Sequence, residues 1–366
     1  MRKLWIISAF FFFALCAFTY LFIDTNFIYL QSLYTGMYLN NRLLLTTVYF
    51  LLVSALFICY FLILKGKDKK MNNRFLLIPL LGILAYPAAL SFDLFNYIAT
   101  AKVAFYYLEN PYIVMPIEMA GEPTLVFTRA INKIALYGPL WTIISGIPFL
   151  LSFGNYLFSI LLFKTFVGIF YFGISWLIYK ISKSYTSVLY FAANPLVIIE
   201  TFVSGHNDVV MMFLALFSIY SLRNKKYMLA VLFLISSIMI KYAAIFLIPL
   251  FVYYLYKHIK KKEIDWYRLY AIGFVLMLAI FFLSPFREEI YPWYAIWPLT
   301  FLTLTKNNWL KSLFAVFSFG LMLRYMPFIL TGNYFGVTPN IKLFLTYAPV
   351  LIFILFSKLF KSFKLY

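Results

Sequence analysis

The stretch from Val203 to Met212, VSGHNDVVMM, sets a histidine, an amide and a carboxylate between two apolar runs. Ionisable groups in or beside a membrane are costly, so each needs a partner or a job. Asp208 could cap a following helix and His206 could be a satisfied interface histidine. Alternatively, His206, Asn207 and Asp208 could belong to a site that does chemistry. Glu200, about two turns earlier in the preceding run, adds a second buried acid and favours the chemical reading.

Three further groups invite the same question. Asp93 lies in SFDLFNY, where a carboxylate among aromatics can act as general base on an incoming hydroxyl or simply cap a helix. In ENPYIVMP, Pro111 and Pro116 shape a turn in which Asn110 and Tyr112 offer polar contacts suited to a sugar. Lys164, Lys241 and Arg287 are cations in or beside apolar runs, and a phosphate is a natural counter-ion for Lys241 and Arg287. Snorkelling is the alternative for the lysines. The run YPWYAIW, with Trp293 and Tyr294, either joins these cations in one set or forms an interfacial aromatic belt.

Other chemistries lack a signature. No glycine-rich phosphate loop, HExxH or closely spaced cysteine pair occurs. With two histidines in the chain, His206 and His258, neither a metal site nor a cofactor is expected.

The elements that must carry these groups are membrane helices. The chain of 366 residues is 64% hydrophobic and only 12% charged, far from the soluble average of about 25% charged. Its net charge of +19 gathers in short loops such as Lys257 to Arg268, the pattern of cytoplasmic loops touching lipid headgroups, not a nucleic-acid surface. Arg2 and Lys3 precede an apolar run read as a retained first helix. Cys16 and Cys59 lie within apolar runs and read as core residues.

The expected fold is all-α: one polytopic domain over 1–366, with about twelve transmembrane helices and both termini cytoplasmic. Residues 1–92 hold three spans, near 4–23, 43–64 and 75–92, and 93–155 form a large external loop. Residues 156–366 hold the other nine, near 156–179, 186–203, 208–222, 227–240, 242–256, 269–285, 293–305, 309–323 and 341–357. The segment YGPLWTIISGIPFLLSF is broken by glycine and proline and would upset the alternation as a span. It is therefore assigned to the outer interface.

In order, SFDLFNYIATAK, NPY, YGPLW, NPLVIIETFVSGHNDVVMM, IKYAAIFLIPL and PWYAIWPL resemble the multi-spanning GT-C glycosyltransferases, over about residues 90 to 300. The likeness is greatest to the bacterial polyprenol-phosphate-mannose-dependent α-mannosyltransferases. That resemblance implies transfer of mannose or another hexose from a polyprenyl-phosphate carrier to a glycan or glycolipid acceptor hydroxyl. The reaction would occur on the external face of the plasma membrane, with inversion and without cofactor. It assigns the base to Asp93 and the donor phosphate to Lys241, Arg287, Lys164 and His206. Sugar or acceptor contacts fall to Asn110, Tyr112, Tyr137, Asn207, Asp208, Trp293 and Tyr294. Some relatives use a second loop acid, for which Glu109, Glu118 and Glu122 are candidates.

Two rival classes make different demands. A flippase or other transporter of lipid-linked saccharides would carry polar residues along a mid-membrane path, often with inverted repeats. An O-antigen polymerase or ligase would place its large loop late, with paired arginines, whereas here the large loop is early and the late one has only Arg324.

Overall fold

The computed structural model describes residues 2–24, 26, 27, 41–66, 74–286 and 289–359. Of the described residues 77% are helical, and none is in a strand. Among the described residues, seven helices are long and apolar enough to cross a membrane: Lys3–Phe22, Arg42–Lys65, Tyr156–Ser182, Tyr242–Ile259, Trp266–Phe286, Asn308–Thr331 and Thr338–Ser357. An eighth crossing is possible through Tyr185–Ala192 and Pro195–Val203, bent by 58° at the break between them. The protein is a membrane protein.

Twelve crossings are not carried by twelve long helices. Residues 75–92, expected as one span, form a short α turn, Arg74–Leu77, followed by two 3-10 pieces, Ile78–Leu84 and Pro87–Ala89. Pro79 and Pro87 each lack the N–H that a continuing helix needs. Two other expected spans are helices of 16 and 14 residues, Asp208–Arg223 and Tyr227–Ile240, shorter than the 20 or so residues a bilayer calls for. The expected span near 293–305 contains a helix of only 7 residues, Ile296–Leu302.

Four elements position the polar groups. Helix α1, Asp93–Phe105, starts where the Asp93 N–H donates to Ser91 Oγ at 3.2 Å. Helix α2, Pro139–Leu150, has 12 residues and so reaches about 18 Å, well short of a bilayer core of about 30 Å. Helix α3, Tyr156–Ser182, is capped by Asn155, whose side chain accepts the Phe158 N–H. Helix α4, Asp208–Arg223, has an acid in its first turn and a base in its last, matching the helix dipole. Helices α1 and α2 pack on each other and on α3, and α3 packs on α4.

From the second helix of the bent pair into α4 the backbone is unusual. Asn194 caps Pro195–Ile198, and the helix then widens into a π turn, Ile199–Val203. It closes with Ser204 N–H on the Ile199 carbonyl and His206 N–H on the Glu200 carbonyl, both at 3.0 Å. Gly205 takes φ +78°, a conformation that side chains resist, and a Cβ there would meet Leu94 Cδ1 at 2.7 Å. Widened turns of this kind occur often at functional sites. Here it turns Glu200 and His206 toward each other.

Candidate active site

His206 is fully buried between two carboxylates: its Nδ1 lies 3.4 Å from Asp93 Oδ2 and its Nε2 lies 3.3 Å from Glu200 Oε2. Trp293 covers the ring, stacked at 3.9 Å between centroids and 17° between planes. Glu200 is fixed from its other oxygen by the Tyr325 hydroxyl, which donates at 2.8 Å. Asp93 keeps 24% of its side chain exposed and Glu200 none, so the row runs from an open end to a closed one.

Electrostatics follow from this placement. Burial disfavours charge on His206, but Asp93 and Glu200 outweigh it and push the ring up to about 9. Burial works against the Asp93 carboxylate too; His206, Lys241 and the Tyr137 hydroxyl override it and hold the group below the usual carboxylate range. The site therefore holds an ionised Asp93 beside an imidazolium at neutral pH.

A second pair stands beside the first. Lys241 Nζ donates to Asp208 Oδ2 at 2.8 Å and to Oδ1 at 3.0 Å, and Trp297 Nε1 donates to Oδ1 at 2.6 Å. Asp208 is fully buried, while Lys241 keeps 13% exposure. The ammonium lies 5.0 Å from the Tyr294 ring centre and 6.0 Å from those of Tyr137 and Trp297, within cation–π range. Tyr97 links the pairs: its hydroxyl accepts the Asn207 N–H at 3.3 Å. Burial, then the charges of Asp93 and Asp208, push that hydroxyl well above its ordinary range. Gly138 N–H donates to the Ile240 carbonyl at 3.0 Å, docking the start of α2 beside Lys241.

The structure thus gathers Asp93, Tyr137, His206, Asn207, Asp208, Lys241, Trp293 and Tyr294 into one region. Asn207 contributes a buried side-chain amide that finds no hydrogen-bond partner among the described residues. Asp208 makes no capping bond on α4; its carboxylate is given to Lys241 and Trp297. Lys241 accordingly has an internal counter-ion, where the sequence suggested none.

The remaining candidates sit differently. Lys164 is fully buried and donates to the carbonyls of Gly82 at 3.0 Å, Ile83 at 3.3 Å and Ala85. Its ammonium is occupied by backbone, and its stem lies against Gly205. Asn110 is exposed and accepts the Tyr112 N–H in a local turn, while the Tyr112 hydroxyl donates to the Tyr137 carbonyl at 2.9 Å and so braces that residue. Arg287 lies outside the described residues. Of the loop acids, Glu118 accepts the Met115 N–H and Glu109 is exposed. Glu122 pairs with Lys102 at 2.7 Å. Partial burial of Glu122 is overridden by Lys102, Thr124 and Tyr107, which hold the carboxyl at about 2.

Three groups escaped the list of candidate site residues. Glu200 is the second acid on His206, as near as Asp93, and Tyr325 orients it. Trp297 holds Asp208. Next to Tyr325, Arg324 and Lys342 both donate to Glu289 Oε1, at 2.7 and 2.9 Å. Among the described residues no group of three or more His, Cys, Asp or Glu side chains could hold a metal.

Comparison with known proteins gives one match. The family described as Alpha-(1->6)-mannopyranosyltransferase, N-terminal domain, matches residues 19–257. That range includes Asp93, Glu200, His206, Asp208 and Lys241, and stops before Trp293, Trp297 and Tyr325. No curated protein and no solved structure matches the chain.

Proposed function

Because the chain belongs to the alpha-(1->6)-mannopyranosyltransferase family, and is therefore a membrane mannosyltransferase, we propose that it takes mannose from a polyprenyl-phosphate carrier and gives it to a glycan or glycolipid hydroxyl. The reaction occurs on the external face of the plasma membrane. About twelve chain crossings, some of them broken, leave both termini on the cytoplasmic side, and α2 lies along the outer interface. The observation that carries the reading is Asp93: ionised, partly open, and backed at 3.4 Å by a buried histidine.

Asp93 accepts the proton of the acceptor hydroxyl as that oxygen attacks the anomeric carbon. The bond from carbon to phosphate oxygen breaks with its electron pair leaving on phosphate, through an oxocarbenium-like transition state and with inversion. His206 stays charged between Asp93 and Glu200, orients the base and keeps it ionised until the hydroxyl arrives. Lys241 and, on sequence grounds, Arg287 carry the growing phosphate charge. Lys241 reaches it from the Asp208 pair and the surrounding rings. Asn207, Trp293 and Tyr294, with Tyr137 braced by Tyr112, hold the sugar and acceptor. Lys164 supports the turn that bears His206 instead of meeting the donor.

The donor is tested in proteoliposomes by offering radiolabelled mannose either on polyprenyl phosphate or on a nucleoside diphosphate. Transfer from the lipid donor alone is expected. Transfer from the nucleotide donor without any lipid carrier would remove the proposal.

A further inference from the structure

Helix α4 carries the candidate active site at its Asp208 end, and a separate cavity opens at its other end, beside Arg223. Sixteen residues of helix separate the two, about 24 Å. The cavity has a volume of about 620 Å³ and lies where α3 ends at Ser182 and where the crossing helix Trp266–Leu283 begins.

Its charged lining is balanced: Arg223 and Lys306 share it with Glu263 and Asp265, and Asp265 Oδ1 also caps the helix that begins at Trp266 by accepting the Tyr267 and Arg268 N–H groups. Both cations lie over aromatic rings. The Arg223 guanidinium is 5.8 Å from the Trp266 ring centre and donates to the Ile181 carbonyl at 3.1 Å. The Lys306 ammonium is 4.0 Å from the Tyr267 ring centre. A purely anionic ligand would meet the two carboxylates, and a purely cationic one the two bases. A ligand with one group of each sign satisfies both. Two helices long and apolar enough to cross a membrane end at this cavity, and Trp and Tyr side chains mark that boundary. Acyl chains beside those helices would deliver a headgroup to it.

We propose that this cavity binds the headgroup of a zwitterionic phospholipid. A phosphodiester rests on Arg223 and Lys306, and a primary ammonium on Glu263 and Asp265. The site is independent of the proposed reaction, so either can fail without the other.

The test is native mass spectrometry of the full chain in detergent, titrated with short-chain phosphatidylethanolamine, phosphatidylglycerol and chainless glycerophosphoethanolamine. Phosphatidylethanolamine is expected to bind, with the chainless headgroup competing more weakly and phosphatidylglycerol binding less well. Arg223→Gln and Glu263→Gln should each weaken phosphatidylethanolamine binding about tenfold, the scale of one lost charged hydrogen bond. Mannosyl transfer should be unchanged in both. Lys306→Gln is the second cationic variant if Arg223→Gln does not fold. Equal binding by variants and wild type, or phosphatidylglycerol binding at least as tight, would overturn the assignment. A chainless headgroup binding as tightly as the lipid would overturn the lipid as its source.

Discussion

Replacing Glu200 with glutamine removes one of the two carboxylates that flank His206 while preserving shape and an acceptor for the Tyr325 hydroxyl. Burial alone would push His206 down; the two carboxylates instead raise it from 6.5 to about 9. That rise is worth about 3 kcal/mol. The carboxylates stand at nearly equal distances, 3.4 and 3.3 Å, and also offset the burial penalty. Losing one therefore removes at least about half of the rise and brings His206 below about 8. The folded value lies above the unfolded one, so the stability contributed by the charge is complete below about 6.5 and is lost as pH climbs through the folded value. In the wild type, kcat/KM should hold through neutral pH and fall near 9. In Glu200→Gln the fall should begin at least one pH unit lower, with activity at about pH 6 retained. Thermal stability should track the same limbs, declining above neutrality at lower pH in the variant. Profiles taken from about pH 5 to pH 10 in nanodiscs decide the matter. If the alkaline limb stays where it was, or activity drops equally at every pH, Glu200 does not act through the charge of His206.

Breaking the second pair has a different signature. Asp208→Asn or Lys241→Met alone leaves a buried or half-buried partner unpaired and should cost about 3–5 kcal/mol, with the double variant less damaged than the sum; thermal melting of all three checks this. Lys164→Met strips the donor from three backbone carbonyls and should lower stability by about 1–3 kcal/mol while leaving the KM for the lipid donor unchanged. A raised donor KM with unchanged melting would return Lys164 to the phosphate. Gly205→Ala must hold φ +78° with a Cβ against Leu94; a loss of about 1–2 kcal/mol and a lower kcat are expected, since the turn carries His206.

The polar residues were legible because ionisable groups are scarce in an oily chain. Asp93, His206, Asp208 and Lys241 stand out in the sequence, and the structure brings them into one region. Their partnerships were not legible. Asp208 meets Trp297 across 89 residues and Glu200 meets Tyr325 across 125, and no local pattern encodes such pairings. Lys164 looked like Lys241 in sequence; only folding shows one in a cage of carbonyls and the other on a carboxylate. Hydropathy marked α2 as apolar, and its glycine and proline breaks are what assign it to the outer interface; the helix has 12 residues. The same measure overran at 75–92, where apolar composition continues through prolines that the helix does not survive.

The central claim is that Asp93 is the base. Mannosyl transfer from polyprenyl-phosphate-mannose should be measured for wild type and Asp93→Asn in proteoliposomes, with matched melting curves to show that both are folded. A loss of about two to four orders of magnitude in kcat, with the donor still bound, is the expected result. Asp93→Asn transferring mannose as fast as wild type would contradict the account and move the proton to another acceptor.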